Sequence, residues 1–289
     1  FALHIQGAVH INSRSPEYPG SKIKRFVVPD KSVSWSVPLP GYNPPQYTSP
    51  AVKSQPIWAD PPLEPQPTGS TVSLPFNADD KERNVSRKSF TGKYKVVGGL
   101  PRNPSGRTGL TGRGLLGRYG PNHAADPVVT RWERDETGTV IKIHGKPVLQ
   151  FVAICRNDTG EWAIPGGMVD AEENITQTLK REFSEEVLLD VDDQKPGTEI
   201  QTQLNKLFNS GVKVYEGYSD DHRNTDISWI ETSVFNFHDD NGSTFDRIKL
   251  HPGEETSGVQ WKRIDQSINL FASHFQFLEK VAKMHNAHF

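Results

Sequence analysis

The chain has 289 residues and carries 33 Lys and Arg against 35 Asp and Glu, which gives a formal net charge of -2 at pH 7. This balance excludes recruitment of nucleic acid by overall basic charge, and no apolar run approaches the ~20 residues that a membrane-spanning helix needs. We therefore expect no nucleic-acid partner and no membrane contact by this segment, and the lone Cys155 indicates a reducing compartment.

Prolines are concentrated at the start of the chain, where 14 of the 22 lie at or before Pro75. Because proline breaks regular elements, we expect a loop-rich section with short strands at residues 24–28 and 93–97. Its many tryptophans and tyrosines favour a packed domain over a disordered tail. We predict a proline- and aromatic-rich accessory domain over residues 1–118.

Glycine recurs about every three residues between Gly98 and Gly120. The structural interpretation is a connector at the end of the first domain. The functional interpretation is a basic loop that binds phosphate through backbone N–H groups and Arg107, Arg113 or Arg118. The P-loop pattern is absent because no Gly-Lys-Ser/Thr follows, so we favour the connector and keep phosphate binding as the alternative.

The hydrophobic pattern becomes regular from about residue 126 onward. It predicts strands at 128–134, 148–155, 212–218, 226–237 and 258–263, and helices at 174–188, 199–209 and 270–285. A mixed sheet sandwiched between helices follows from this order of elements. We predict that residues 119–289 form this second domain.

The segment 167–189 carries glutamates at spacings that suit a divalent cation. On a helix, Glu182, Glu185 and Glu186 lie on one face, because residues three and four apart are neighbours. Three clustered carboxylates repel each other unless a hard cation neutralises them, and oxygen ligands of this kind suit Mg²⁺ or Mn²⁺. We expect these three residues to be metal ligands.

A simpler alternative is a solvated charged helix in which Lys180 and Arg181 pair with the glutamates. Two features favour the metal site. The paired glycines Gly166 and Gly167 precede the helix and allow the backbone to approach a ligand closely, and the acidic positions occur at fixed spacings.

The same segment resembles the signature of the Nudix hydrolases, in which a glycine, a glutamate, an Arg-Glu pair and a Glu-Glu pair follow at fixed intervals. The matching residues are Gly167, Glu173, Arg181, Glu182, Phe183, Glu185, Glu186 and Leu189. Leu188 stands where the family usually has glycine, so we expect an altered helix exit and an intact metal site. The resemblance implies an α/β (α+β) Nudix fold, with Glu173 and Arg181 orienting the ligands and Gly166 and Gly167 beside the substrate.

Three further segments resemble the ADP-ribose pyrophosphatases and the homologous C-terminal domain of ADP-ribose-gated melastatin-type cation channels. These segments are GRTGLTGRGLLGRYGPNHAADPVVTRW, YEGYSDDHRNTDISWIET and LFASHFQFLEKVAKMHNAHF. The resemblance implies Mg²⁺-dependent hydrolysis of ADP-ribose to AMP and ribose 5-phosphate. The complete Arg-Glu and Glu-Glu pairs favour a working hydrolase over a domain that only binds its ligand.

Three settings stay open for this chain. It is either a catalytic domain at the cytosolic face of the plasma membrane, as part of a tetrameric channel whose other domains are its partners, or a non-catalytic ADP-ribose sensor of such a channel. The third setting is a free-standing enzyme of the mitochondrial matrix. Residues upstream of Phe1 would separate the channel from the matrix enzyme.

The resemblance also implies substrate-binding residues outside the signature. Asp221 and Arg223 correspond to ligand-contacting positions, and Arg223 has a guanidinium that can bind phosphate or stack on adenine. Phe271 and Ser273 correspond to contacts with the terminal ribose. Phe271 replaces a family tyrosine, so we expect weaker or shifted ribose recognition.

The general base is expected on a loop outside the signature, as is common in Nudix enzymes. Glu255 and its neighbour Glu254 lie in such a loop, and Glu231 is a second candidate. The alternative for each is an ordinary solvated charge.

Overall fold

The chain folds as two compact units. The computed structural model describes residues 10–63, 72–157, 159–171, 173–187, 199–242, 244, 250–254, 256–271 and 274–289. The first unit comprises Phe1–His123, Asp170–Glu172 and Gly217–Glu231, and the second comprises Ala124–Val169, Glu173–Glu216 and Thr232–Phe289. The division into domains 1–118 and 119–289 stays a prediction.

The first part of the chain consists of loops and very short elements. These are the 3₁₀ turns Asn12–Arg14 and Asp30–Ser32, β1 (Gln46–Thr48), α1 (Pro50–Lys53), β2 (Asp79–Asp80), β3 (Val85–Ser86), β4 (Val96–Val97), β5 (Leu100–Pro101) and β6 (Thr111–Gly114). β1 pairs in parallel with β6, while β2 with β3 and β4 with β5 form antiparallel pairs.

The strand predicted at 24–28 is wrong. Within the described residues, Lys24 forms an isolated bridge with Glu17, and the residues after it join no ladder. The N–H of Phe26 instead donates to the carbonyl of Gly109. The strand predicted at 93–97 shrinks to Val96–Val97.

The glycine-rich segment packs closely against other backbone of the first unit, and its expected role as a connector stays a prediction. A Cβ on Gly109 would lie 2.1 Å from the carbonyl oxygen of Phe26, and one on Gly112 would lie 2.2 Å from that of Tyr47. These distances are far below van der Waals contact, and both glycines have positive φ. Glycine is therefore required here because another stretch of backbone passes directly over it.

Buried arginines complete this packing by binding backbone carbonyls. The carbonyls bound by Nη1 of Arg107 are those of Ser32, Ser34 and Val37. Arg113 Nη1 donates to the carbonyls of Asp60 and Gly117. In a unit with few strands, these guanidiniums satisfy loop carbonyls that no ladder satisfies.

The rest of the chain has longer elements. They are β7 (Gly120–Trp132), β8 (Lys142–Ile143), β9 (Lys146–Pro147), β10 (Leu149–Arg156), β11 (Trp162–Ala163), β12 (Gly167–Met168), α2 (Ile175–Val187), α3 (Glu199–Phe208), β13 (Val212–Tyr218), β14 (Ser228–Asp239), β15 (Thr256–Arg263) and α4 (His274–Met284). None of the described helices is long and apolar enough to cross a lipid bilayer.

Among the described residues, seven of these strands form one sheet with the order β11-β10-β7-β14-β13, to which β12 adds at β7 and β15 adds at β10. Side chains of β10 alternate between its faces. Val152 and Ile154 join a core cluster with α2 and α3, whereas Phe151 and Ala153 join a second cluster with α4. The predicted α/β Nudix fold, a mixed sheet sandwiched between helices, is confirmed.

Substitution of Gly109 by alanine tests the close backbone approach in the first unit. Gly99 provides the control because its φ of +79° matches the +81° of Gly109, yet a Cβ there meets nothing within 4 Å. We expect Gly99→Ala to lower the free energy of unfolding by about 1 kcal/mol through backbone strain, and Gly109→Ala to lower it by about 3 kcal/mol because overpacking adds to the strain. Urea unfolding measures both, and equal losses would contradict the packing argument.

Candidate active site

The acidic helix α2 starts with a capping box. The side chain of Asn174 accepts a hydrogen bond from the N–H of Gln177 at 2.9 Å, and the side chain of Gln177 accepts one from the N–H of Asn174 at 2.8 Å. This reciprocal pair satisfies two backbone donors of the first turn. The hydroxyl of Thr178 then donates to Glu173 at 2.8 Å, so the start of the helix fixes the first acidic residue of the signature.

The other end of α2 is closed by a neighbouring loop. The N–H of His251 donates to the carbonyl of Val187 at 2.9 Å, and the N–H of Gly253 donates to that of Glu186 at 3.1 Å. Carbonyls at a helix C-terminus lack hydrogen-bond donors inside the helix. The N–H groups of this loop act as those donors. Leu188, at the position of the family glycine, lies outside the described residues, and the altered helix exit stays a prediction.

Arg181 binds most of the acidic residues of the signature. Its Nε and Nη2 bind both carboxylate oxygens of Glu173 at 2.8 and 3.0 Å. Its Nη1 donates to Glu182 at 2.9 Å and to Glu185 at 3.0 Å. Bidentate and charge-assisted bonds of this type fix orientation as well as charge. One guanidinium thus holds three carboxylates in a defined arrangement.

The paired glycines before α2 lie directly against its buried carboxylates. The N–H of Gly166 donates to Glu186 at 2.9 Å, and a Cβ on Gly167 would lie 2.2 Å from an oxygen of Glu182. Residues of β12 pair with β7, which fixes the glycines relative to the sheet. Gly167 is therefore needed for the close approach of Glu182.

Both buried carboxyls have raised pKa values. Burial raises the pKa of Glu186 to about 8, against the opposing hydrogen bond from Gly166, and the negative charge of Glu182 adds to the rise. Burial likewise raises the pKa of Glu182 to about 7, although the charge of Arg181 opposes it. These shifts have the sign expected for desolvated acids that repel each other.

Asp126 is a further carboxylate of this site that the sequence interpretation missed. It is buried on β7, and a Cβ on Gly166 would lie 2.1 Å from its Oδ1. Its Oδ2 accepts a hydrogen bond of 2.6 Å from the hydroxyl of Thr232, and its charge raises the pKa of both Glu182 and Glu186. The available signal was an acidic residue within an apolar strand, since such residues are rarely buried without a reason.

The donor set fits a hard divalent cation in its chemistry. In the part of the chain that the structure describes, no three Asp, Glu, His or Cys side chains are gathered so as to hold a metal ion. Arg181 forms ion pairs with Glu182 and Glu185. The available donors are carboxylate oxygens, which Mg²⁺ and Mn²⁺ prefer. A cation would also favour the ionised forms that burial disfavours.

The loop that contains the expected general base lies at the end of α2. Glu255 itself lies outside the described residues. Glu254 is exposed, and its carbonyl accepts a hydrogen bond from Asn157 at 3.0 Å. Gly253, next to it, is the residue that donates to α2, so the loop is fixed to the acidic helix one residue before Glu254.

Glu231 is unsuited to act as a general base. Its side chain is fully buried, and its two oxygens accept hydrogen bonds from the N–H of Phe90 at 2.7 Å and from the indole of Trp229 at 2.8 Å. An acceptor with both oxygens occupied and no contact with solvent cannot reach an attacking water. The expectation of Glu231 as a second candidate is wrong.

Asp221 and Arg223 form an ion pair with each other in the first unit. Arg223 donates from Nε and Nη2 to the two oxygens of Asp221 at 2.8 and 2.9 Å. Burial of Asp221 acts to raise its pKa, but the charge and hydrogen bonds of Arg223 outweigh it and lower the pKa to about 2. Nε and Nη2 of Arg223, expected to bind phosphate, thus bind Asp221, and the role of Arg223 as a ligand contact stays a prediction.

Phe271 is buried at the start of the segment that leads into α4. Its N–H donates to the carbonyl of Trp162 at 2.9 Å, and the guanidinium of Arg156 lies 4.5 Å from the centre of its ring. Ser273, the other expected ribose contact, lies outside the described residues. His274 accepts a hydrogen bond from the N–H of Ile164 at 2.9 Å, which fixes the strand end that precedes the paired glycines.

Comparison with known proteins identifies the family. Residues 134–281 match the model of the NUDIX domain, and residues 28–120 match that of the NUDT9-like N-terminal domain. The chain belongs to the Nudix hydrolase family, which confirms the resemblance found in the sequence.

Two relatives share half of their aligned residues with the chain. The mitochondrial ADP-ribose pyrophosphatase of Rattus norvegicus is 50% identical over 285 residues, which cover 96% of this chain and 79% of the relative. A transient receptor potential cation channel subfamily M member-like 2 protein of Nematostella vectensis is also 50% identical over 285 residues, covering 97% of this chain but 18% of the relative. The chain thus spans less than a fifth of that channel protein.

A worm relative and a bacterial structure complete the comparison. The putative nudix hydrolase 6 of Caenorhabditis elegans is 43% identical over 271 residues, covering 93% of this chain and 94% of the relative. A MutT/nudix family protein from Enterococcus faecalis superposes with a TM-score of 0.40 at 15% identity, covering 59% of this chain and 64% of that chain.

Asp126→Asn removes one negative charge beside the buried glutamates while Thr232 keeps an oxygen to bind. We expect the affinity for Mn²⁺, measured by calorimetry, to fall roughly 10- to 100-fold, as for other groups that support metal ligands. Asp30→Asn is the control, because that side chain is 79% exposed and lies in the first unit. Equal Mn²⁺ affinity of the two variants would show that Asp126 is only structural.

Proposed function

We propose that this chain hydrolyses ADP-ribose to AMP and ribose 5-phosphate with Mg²⁺ or Mn²⁺ as cofactor. The observation that supports this most strongly is the 50% identity to the rat ADP-ribose pyrophosphatase over 79% of its length. The acidic helix is also complete, and Arg181 links its glutamates. Other Nudix substrates would require a different recognition surface, whereas this similarity extends across both family domains.

The catalytic roles follow the geometry of the acidic helix. Glu182, Glu185 and Glu186 would hold the cation. When bound there, a divalent cation would neutralise charge on the diphosphate and favour ionisation of the attacking water. Arg181 and Glu173 keep the carboxylates in fixed orientations through charge-assisted hydrogen bonds.

Proton removal from the attacking water is assigned to Glu255. Support comes from Gly253, two residues earlier, whose N–H donates to the carbonyl of Glu186 at the end of α2. Substrate contacts are assigned, by resemblance, to Asp221, Arg223, Phe271, Ser273, Gly166 and Gly167.

A second candidate function is ADP-ribose sensing within a channel. Its support is the 50% identity to the channel-like protein of Nematostella vectensis. The chain is also 35% identical to mouse transient receptor potential cation channel subfamily M member 2, of which it covers 18%. In that setting the chain lies at the cytosolic face of the plasma membrane, with other domains of a tetrameric channel as partners. The free-standing enzyme would instead belong to the mitochondrial matrix.

Product analysis separates hydrolysis from sensing. The purified chain is incubated with ADP-ribose and Mg²⁺, and products are resolved by chromatography. We expect AMP and ribose 5-phosphate from the wild type, and at least ~100-fold less product from Glu185→Gln/Glu186→Gln, since loss of ligands should exceed the effect of losing their supporting groups. Glu136→Gln, an exposed hairpin residue, is the matched control. Intact ADP-ribose with wild-type protein, together with calorimetric binding, would refute hydrolysis and support the sensor.

Gly167→Ala tests whether the close approach of Glu182 matters for turnover. A Cβ at Gly167 would displace the carboxylate of Glu182, and a displacement of about 1 Å can cost ~100-fold in rate. The control is Gly258→Ala, where a Cβ would lie 3.6 Å from its neighbours. We expect a ~100-fold lower turnover for the first variant only, with the far-ultraviolet circular dichroism of both unchanged. Wild-type turnover by Gly167→Ala would contradict the positioning of Glu182 by this glycine.

A further inference from the structure

The first unit contains a small cavity with an arginine in its wall. Its volume is about 260 Å³, and its lining includes Arg118, Arg83, Asp60, Trp58 and Ala171. All of these residues belong to the first unit. The cavity is smaller than the about 300–1,000 Å³ of sites for drug-sized ligands, so it suits a group of the size of a phosphate or sugar phosphate.

Arg118 differs from the other two arginines of the glycine-rich segment. The guanidiniums of Arg107 and Arg113 donate to backbone carbonyls. Among the described residues, none accepts a hydrogen bond from the guanidinium of Arg118. The backbone of Arg118, by contrast, forms hydrogen bonds with Asn122 and Ser228. The side chain is half-buried, and burial lowers its pKa. Because burial removes part of its hydration, this guanidinium would be stabilised by an anion that pairs with it.

The carboxylates whose charges act on Arg118 form no hydrogen bond with its guanidinium. Asp60 accepts a bidentate ion pair from Arg87 at 2.7 and 2.8 Å and a further hydrogen bond from the N–H of Tyr119. The charge of Asp170 favours the charged form of Arg118 without a hydrogen bond between them. Neither carboxylate therefore supplies the acceptor that the guanidinium lacks.

The second guanidinium of the cavity already has partners. Arg83 donates to Asp80 at 3.4 Å and to Glu82 at 3.2 Å. The indole of Trp58 forms an apolar wall and lies so close to Gly117 that a Cβ there would be 2.6 Å from the ring. An occupant with one anionic end and a less polar body matches this combination of an unpaired arginine and an aromatic side chain.

We propose that this cavity binds the phosphate group of a phosphate monoester through the guanidinium of Arg118. The planar fork of arginine matches two phosphate oxygens, and the size of the cavity suits a sugar phosphate better than a complete dinucleotide. The inference goes beyond the proposed function, because binding of a monoester here requires neither a divalent cation nor turnover.

The position of Ala171 connects this cavity to the signature along the chain. Ala171 lies between Gly167 and Glu173, and it belongs to the short segment that the first unit takes from the signature. Both products of the proposed reaction are phosphate monoesters, so they carry the group that this site would bind, whereas the diphosphate substrate does not.

Calorimetric titration in the presence of EDTA tests the proposal while no divalent cation is available to the acidic helix. Wild-type protein is titrated separately with inorganic phosphate, ribose 5-phosphate, AMP and ADP-ribose. We expect saturable binding of ribose 5-phosphate, weaker binding of inorganic phosphate and at least ~10-fold weaker binding by Arg118→Ala, because a charge-assisted hydrogen bond is lost. Arg118→Lys should recover part of the affinity. Preference for ADP-ribose over both monoesters would overturn the assignment to a monoester.

Two control variants separate loss of monoester binding from misfolding and from loss of catalysis. Arg134→Ala removes an arginine from an exposed hairpin and should bind like wild type. Glu182→Gln should also bind like wild type, even when it has lost ADP-ribose hydrolysis, so failure of the proposed function is distinguished from failure of this site. Without ligand, Arg118→Ala should melt at the same or a higher temperature than wild type. Unchanged monoester affinity of Arg118→Ala, or no binding by wild type, would overturn the proposal.

Discussion

The structure of the site depends on mutual repulsion among buried acids and on the guanidinium that opposes it. Glu182 and Glu186 are buried in the same region as Asp126, whose charge raises the pKa of both, and the charge of Glu182 further raises the pKa of Glu186. Arg181 offsets part of this cost by binding Glu173, Glu182 and Glu185, whose hydrogen bonds in turn raise its own pKa. Arg181 does not neutralise all of the negative charge of these carboxylates. The remaining negative charge favours the binding of a cation.

Local sequence carried much of the information about this site. The capping residues and the spacing of acids lie within one helix, so periodicity alone places Glu182, Glu185 and Glu186 on one side of it. Asp126 could not be found in this way. It reaches the paired glycines because β12 pairs with β7, and strand pairing between distant segments leaves no mark in a local pattern.

The second unit could be predicted from the sequence better than the first, because only its elements follow a regular hydrophobic pattern. Alternating or helical hydrophobic patterns mark β10 and α2, whose cores are made of aliphatic and aromatic side chains. The first unit instead packs glycines against backbone and arginines against carbonyls, as at Gly109 and Arg107. These contacts have no hydrophobic periodicity, so the residues around Phe26 resembled a strand, and nothing in the pattern predicted that the glycine-rich segment packs against backbone.

The loop at residues 250–254 affects both the stability of the last turn of α2 and the access of ligands to its glutamates. His251 and Gly253 donate to the last carbonyls of the helix, so the loop and the final helical turn form one cooperative unit. Displacement of this loop releases the carbonyls of Val187 and Glu186 and loosens the turn that carries a buried carboxylate. Opening of the loop and fraying of the helix end are therefore the same event, and a more rigid loop would fix the acids more firmly while slowing exchange of whatever they bind.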